Sequence, residues 1–185
     1  MGLKHFALAK KSSERKPILP DVICNTSPVQ YLHQLQLLSI LPALAGRVIV
    51  PPAVIDELGE GRNRGMHLSD LTRLDWIEIR RPLSERAVPL VTNLGPGETE
   101  VLMLALELDD AVVVLDDAFA RRVAESLGLR FKGTLGLLLD AKREGLIPAI
   151  IPLLDQLREL RFRLAPHTRT AVLKLSGEHQ TEFPF

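Results

Sequence analysis

The chain has very little cysteine: one residue, Cys24, in 185. A disulfide framework within the chain is thereby excluded, and a reducing, cytoplasmic setting is expected. Long hydrophobic runs are also missing. None approaches the roughly 20 apolar residues needed to span a bilayer, so no membrane span is expected. The first residues, MGLKHFALAKKSSERKP, carry five Lys/Arg but no apolar core of the roughly 7–15 residues a signal peptide requires. They read as a solvated basic arm over residues 1–20. Net charge is absent too, with 23 Lys+Arg balancing 23 Asp+Glu. That argues against a large permanent basic surface of the kind strong nucleic-acid binders carry, but leaves room for a basic rim around an acidic site. No Gly-x-x-x-x-Gly-Lys-Ser/Thr is present, so a P-loop is excluded. The histidines His5, His33, His67, His167 and His179 lack zinc-ligand spacing and read as surface or capping residues. There is no internal repeat.

What is present is an ordinary globular composition, 46% hydrophobic and 25% charged. Short β-branched runs alternate with helical patterns. Residues 22–24, 47–50, 76–79, 112–115 and, more weakly, 129–131 read as strands. The VVVL run at 112–115 is continuous and apolar, as in a strand buried on both faces. Helices are expected from Ser27 as N-cap with Pro28 as first helical residue, from Pro52 to Leu58 with Gly59 as the stop, and after Gly97. Others are expected over 118–127 closed by Gly128, after Thr134 as cap and closed by Gly145, from Pro152, and over 168–175. The leucine-rich stretches at 32–41 and 153–160 serve the core. The GEGRNRG segment, residues 59–65, reads as a flexible loop whose Arg62 and Arg64 are candidate RNA contacts. Alternating strands and helices predict an α/β fold, a three-layer α/β/α sandwich with a mostly parallel central sheet, over residues 21–178, followed by a tail at 179–185.

In such sheets ligands bind beyond the carboxyl ends of the strands. The first strand ends at Asn25, Thr26 and Ser27, and the VVVL strand at Asp116 and Asp117. Glu98 and Glu100 stand near the start of one helix, Asp56 and Glu57 in another. Taken singly, each has a plain reading: Glu98 or Glu100 favours a helix N-terminus through the dipole, Asp116 or Asp117 caps the next helix, and Glu57 is solvated. Taken together, acids from three elements and an amide from a fourth form an oxygen-rich set suited to a hard cation such as Mg²⁺. Cys24, at a strand end, reads as a buried, inert thiol. Lys132 and Thr134 flank Gly133 and either contact a phosphate or cap a helix.

Several segments share their order and spacing with one family. These are ICNTSP (23–28), VIVPPAVIDEL (48–58), GPGETEVLMLALEL (95–108), VVVLDDAFARRVAESLGL (112–129), Gly-Thr-Leu-Gly (133–136) and AKREGLI (141–147). Through them the chain resembles PIN-domain proteins, over roughly residues 21–178. The resemblance implies an α/β/α fold and a metal-dependent ribonuclease using Mg²⁺ or Mn²⁺, with RNA as substrate. It also implies a toxin-like role, with an antitoxin protein or a second copy of the chain as partner. It places Glu57, Glu98 and Asp116 at acidic site positions, with Asp117 a one-residue rival to Asp116 and Glu100 a weaker rival to Glu98. Thr26 or Ser27 matches the small hydroxyl residue after the first acid. Arg121 matches a basic residue expected either to pair with Asp117 or to meet a phosphate. The departure is Asn25, which stands where the family carries aspartate. An amide oxygen still coordinates a cation but brings no full charge and no base. Two readings follow: an attenuated ribonuclease, or a PIN-like module that binds nucleic acid or protein without cutting.

Overall fold

A computed structural model describes residues 17–83 and 94–178. Most of the expected arm (1–16) and the tail (179–185) lie outside the described residues. Leu19, counted with the arm on sequence, is buried and bridges Ala45.

Five parallel strands form the sheet, in the order β3-β2-β1-β4-β5. They are β1 (Asp21–Cys24), β2 (Val48–Val50), β3 (Ile77–Ile79), β4 (Ala111–Val114) and β5 (Phe131–Lys132). Strand β1 pairs with both β2 and β4, in the registers Ile23↔Ile49 and Ile23↔Val113. Val22, Ile23, Cys24, Ile49, Val50, Val113 and Val114 are buried. A strand covered on both faces has no reason to alternate polar and apolar, which is why these runs are continuous. The helices are α1 (Thr26–Gln34), α2 (Ile40–Leu44), α3 (Pro52–Asn63), α4 (Pro96–Glu107), α5 (Ala118–Ser126), α6 (Thr134–Arg143), α7 (Ile151–Glu159) and α8 (Pro166–Leu175), with a 3₁₀ turn at Leu71–Arg73. They complete a three-layer α/β/α sandwich. Proline opens α3, α4 and α8, where a missing N–H costs nothing.

Four sequence expectations need correction. Helix α1 starts at Thr26, so Asn25 rather than Ser27 is the N-cap residue. Helix α3 does not stop at Gly59 but runs to Asn63, so most of the supposed 59–65 loop is helical. Gly61 lies inside it because the chain folds back there: a Cβ would sit 2.5 Å from Leu68 Cδ1. Arg62 and Arg64 are accordingly tied down, Arg62 donating to the Ser69 carbonyl at 2.7 Å and Arg64 pairing with Glu60 at 3.1 Å. The leucine stretch at 32–41 is split, α1 ending before Gln36, which takes φ +59°, and α2 starting at Ile40. Finally, Gly133 rather than Thr134 is the N-cap residue of α6.

From β1 the chain builds outward to β2 and β3, then returns to the other side of β1 to lay down β4 and β5. The carboxyl ends of β1 and β4 are therefore the topological switch point, where an open α/β sheet forms its ligand crevice.

Candidate metal centre at the carboxyl end of the sheet

Asn25 follows β1 directly, and its backbone N–H donates to the Val114 carbonyl at 3.1 Å, pinning it beside β4. Only 4% of it is exposed. Asparagine is among the best N-cap residues, its side-chain oxygen accepting an N–H from the second or third helical residue. Here it caps nothing. The third helical residue is Pro28, which has no N–H to give. Asn25 Oδ1 is left buried without a hydrogen-bond partner, a state that costs about 1–3 kcal/mol unless something else supplies positive charge.

Around it the acids are held by their own chain. Glu57 Oε1 accepts the Gly97 N–H at 2.9 Å, and the Thr26 hydroxyl donates to Oε2. The N-terminus of α4 thus carries a carboxylate from α3, as helix N-termini do. A Cβ at Gly97 would lie 2.8 Å from both Glu57 oxygens, so glycine is required for that approach. Glu98 reaches back to accept the Gly95 N–H at 2.9 Å. Asp116 accepts the Thr134 N–H at 2.9 Å and its hydroxyl at 2.6 Å. Gly133 leaves room for this, since a Cβ there would be 2.9 Å from Asp116 Oδ1 and would overlap the Arg121 guanidinium. Arg121 donates its Nε–H to the Leu115 carbonyl at 2.7 Å and stands 3.4 Å from Asp116. Its partner is thus Asp116, not the Asp117 anticipated from helical spacing.

The rivals separate. Asp117 caps α5, accepting the N–H groups of Phe119 and Ala120 at 2.8 Å. Glu100 accepts the Ala53 N–H at 2.8 Å and so serves the start of α3. Ser27 is only partly buried, on the first turn of α1. Lys132 pairs with buried Asp140 at 2.5 Å, which accounts for it without a phosphate. Cys24 is a buried thiol pushed up to about 12 by desolvation, consistent with an inert role. His33 and His67, far apart in sequence, stack with centroids 5.0 Å apart.

The electrostatics bring the acids together. Burial raises the Glu98 carboxyl above its ordinary value; the Gly95 N–H opposes this, and the charges of Asp117 and Glu57 add to it. Burial likewise raises Asp116, against the Thr134 hydrogen bonds and the Arg121 charge. Tyr31 was missed on sequence. Burial, and then the Asp116 charge, push its phenol up while Arg163 pulls it down. Only its helical spacing from Asn25 could have flagged it. Of Glu57, Glu98 and Asp116, only Asp116 has a cation beside it among the described residues, Arg121.

No group of three or more His, Cys, Asp or Glu among the described residues can hold a metal ion by itself. A closed, protein-only cage such as structural zinc needs is therefore a poor fit. A water-rich hard cation is a good one. Mg²⁺ takes one or two carboxylates and fills its other positions with water, and the candidate ligands here are all oxygen, with a buried amide acceptor, Asn25 Oδ1, that has no hydrogen-bond partner.

A five-stranded parallel α/β/α sandwich with acids held near its switch point is the class of fold seen here. More narrowly, the chain belongs to the PIN-domain family: the family model described as a PIN domain matches residues 21–178. PIN domains are generally a nuclease fold, and they typically use divalent metals. No functionally curated protein matches the chain.

Proposed function

We propose that the chain is a metal-dependent ribonuclease whose catalytic power is reduced by Asn25. The observation that carries this reading is the buried, unpaired Asn25 Oδ1 next to a set of carboxylates of which, among the described residues, only Asp116 has a cation beside it, Arg121. Asn25 Oδ1 and one or two of Glu57, Glu98 and Asp116 would hold Mg²⁺ or Mn²⁺, with water in the remaining positions. When bound, the cation supplies an activated water and neutralises charge developing on a phosphodiester.

The chain's own residues set the stage. Thr26 and Gly97 hold Glu57 in one orientation, and Thr134 and Arg121 do the same for Asp116. Because these donors are already in place, little reorganisation accompanies the reaction. Gly97 and Gly133 let Glu57 and the Arg121–Asp116 pair approach the backbone closely. Asn25 contributes an acceptor but no charge and cannot take a proton, so one function of the family's usual aspartate is missing.

Purified native protein should cleave RNA slowly with Mg²⁺ or Mn²⁺, and Asn25→Asp should cleave about 10–100-fold faster, the scale of altered metal affinity. No cleavage by either form overturns the proposal. A second reading, a non-cutting PIN module, draws on one observation: the acids are already satisfied by donors of the chain itself. It predicts RNA or protein binding with no metal response from the native chain.

A further inference from the structure

Most helices here close in the same way. After α5, α6 and α8 the chain turns through a glycine at positive φ, at Gly128, Gly145 and Gly177. The turn after α7 has the same hydrogen bonds: Arg161 N–H to the Arg158 carbonyl at 3.0 Å and Phe162 N–H to the Leu157 carbonyl at 2.9 Å. These are the two bonds of a Schellman closure, whose left-handed position strongly favours glycine. Arginine occupies it instead, at φ +62°. Gln36 closes α1 in the same way, at φ +59°, so the strained turn does not by itself assign Arg161 a use, and its surroundings must supply the reason.

Its surroundings say what the use is. Arg161 and Arg163 are both exposed, and neither forms an ion pair among the described residues. Between them Phe162 packs edge to face on Tyr31, ring centroids 4.9 Å apart and planes at 82°. Both rings are only partly buried. Tyr31 belongs to α1, the helix that springs from Asn25, and its hydroxyl makes no hydrogen bond with any described residue. Tyr31 lies on the second turn of α1, six residues after Asn25, and Phe162 stands between the two arginines in the chain. Elsewhere in the described residues exposed arginines mostly face acids, as Arg130 faces Asp110 and Arg73 faces Asp70.

We propose that Tyr31 and Phe162, flanked by Arg161 and Arg163, form a stacking and phosphate-binding platform that delivers single-stranded RNA to the crevice. Unpaired bases offer ring faces to aromatic side chains whatever their sequence, and guanidinium groups follow the backbone. A duplex keeps its bases stacked on one another and offers nothing to the two rings. This rests on the ribonuclease reading for its direction of delivery, but not for the binding itself.

The test is binding of a short labelled single-stranded oligoribonucleotide to the full chain in EDTA, where no divalent ion supports cleavage. Arg161→Gly should raise the melting temperature, because glycine suits the turn, yet weaken binding several-fold. Each arginine removed should flatten the plot of log affinity against log salt by about 0.7. Phe162→Leu should weaken binding about tenfold, the scale of one stacked base, with the salt slope unchanged. Arg130→Ala, at the opposite end of the sheet, should bind as the native chain does. Undiminished binding by Arg161→Gly, equal affinity for a duplex, or no binding by the native chain overturns the platform. If binding behaves as expected in EDTA but no metal ion yields cleavage, the platform stands and the ribonuclease reading falls. Cleavage indifferent to these substitutions does the reverse.

Discussion

The two ends of the central sheet both carry acids, but they treat them differently. At the amino end Asp21, Glu78 and Asp110 meet arginines, while Asp75 and Asp109 lie exposed to solvent: Arg47 bonds Asp21 and stands 3.5 Å from Glu78, and Arg130 bonds Asp110. These pairs are well exposed, and such pairs contribute about 0–1 kcal/mol. At the carboxyl end Glu57 and Glu98 are held by backbone N–H groups and a hydroxyl, and only Asp116 has a cation beside it. Hydrogen bonds fix these carboxylates in place without cancelling their charge. At the amino end the acids are paired with arginine or open to solvent; at the carboxyl end they are partly buried and held mainly by hydrogen bonds, the setting the proposed cation would complete.

That contrast can be broken most sharply at Asn25. Asn25→Asp adds a carboxylate to a nearly buried position that already has acids nearby, and an uncompensated buried charge costs about 3–5 kcal/mol. In EDTA the melting temperature should therefore fall by about 10 °C, at roughly 2–4 °C per kcal/mol for a chain of this size. Mn²⁺ should restore most of it, and calorimetry in both conditions reads the difference. Gly97→Ala comes next. Its Cβ would displace Glu57, costing about 1–3 kcal/mol as an overpacked contact does, and RNA cleavage should be lost along with the Mn²⁺ response. Thr134→Val removes the hydroxyl bond to Asp116 and should cost about 1–2 kcal/mol by denaturant titration.

Glu98→Gln should sharpen the comparison from the other direction. The amide still accepts the Gly95 N–H, but a desolvated charge is gone, so without metal the variant should melt slightly higher than the native chain at neutral pH. The sign follows from linkage. The folded Glu98 and Asp116 values are raised, so these groups favour the fold when protonated and lose that contribution as pH rises through their folded values. Acidifying from neutrality should thus stabilise this end of the molecule while weakening any cation binding there. Glu98→Gln should flatten that pH dependence. The smallest effect belongs to the amino end: Arg47→Ala should shift stability by under about 1 kcal/mol and leave the Mn²⁺ response untouched.

The sheet was legible in the sequence because its strands are buried on both faces. Runs such as VVVL allow no other plain reading, and the glycines and prolines around them mark the helix ends. One error fell where glycine serves packing rather than turning. Gly59 reads as a helix stop, but α3 runs on to Asn63, and Gly61 within it makes room for Leu68. The positions of the candidate acids were legible in kind, at strand and helix ends. Their partition was not. Asp117 and Asp116 are neighbours, and only the Asp117 bonds to α5 and the Asp116 bonds to Thr134 show which caps and which faces the crevice. The idle Asn25 oxygen follows from Pro28, three residues on, once the start of α1 is known. Tyr31 and Phe162 meet only through the tertiary fold, and no spacing in the sequence announces it.

The most direct test of the central claim is paramagnetic broadening of backbone amide signals as Mn²⁺ is titrated into the native chain at neutral pH. The account predicts early, localised loss of signal at Asn25, Thr26, Glu57, Gly97, Glu98, Asp116 and Gly133, with Asp21, Asp110 and their neighbours unaffected. Broadening spread evenly over both ends of the sheet, or none at the carboxyl end, would contradict it.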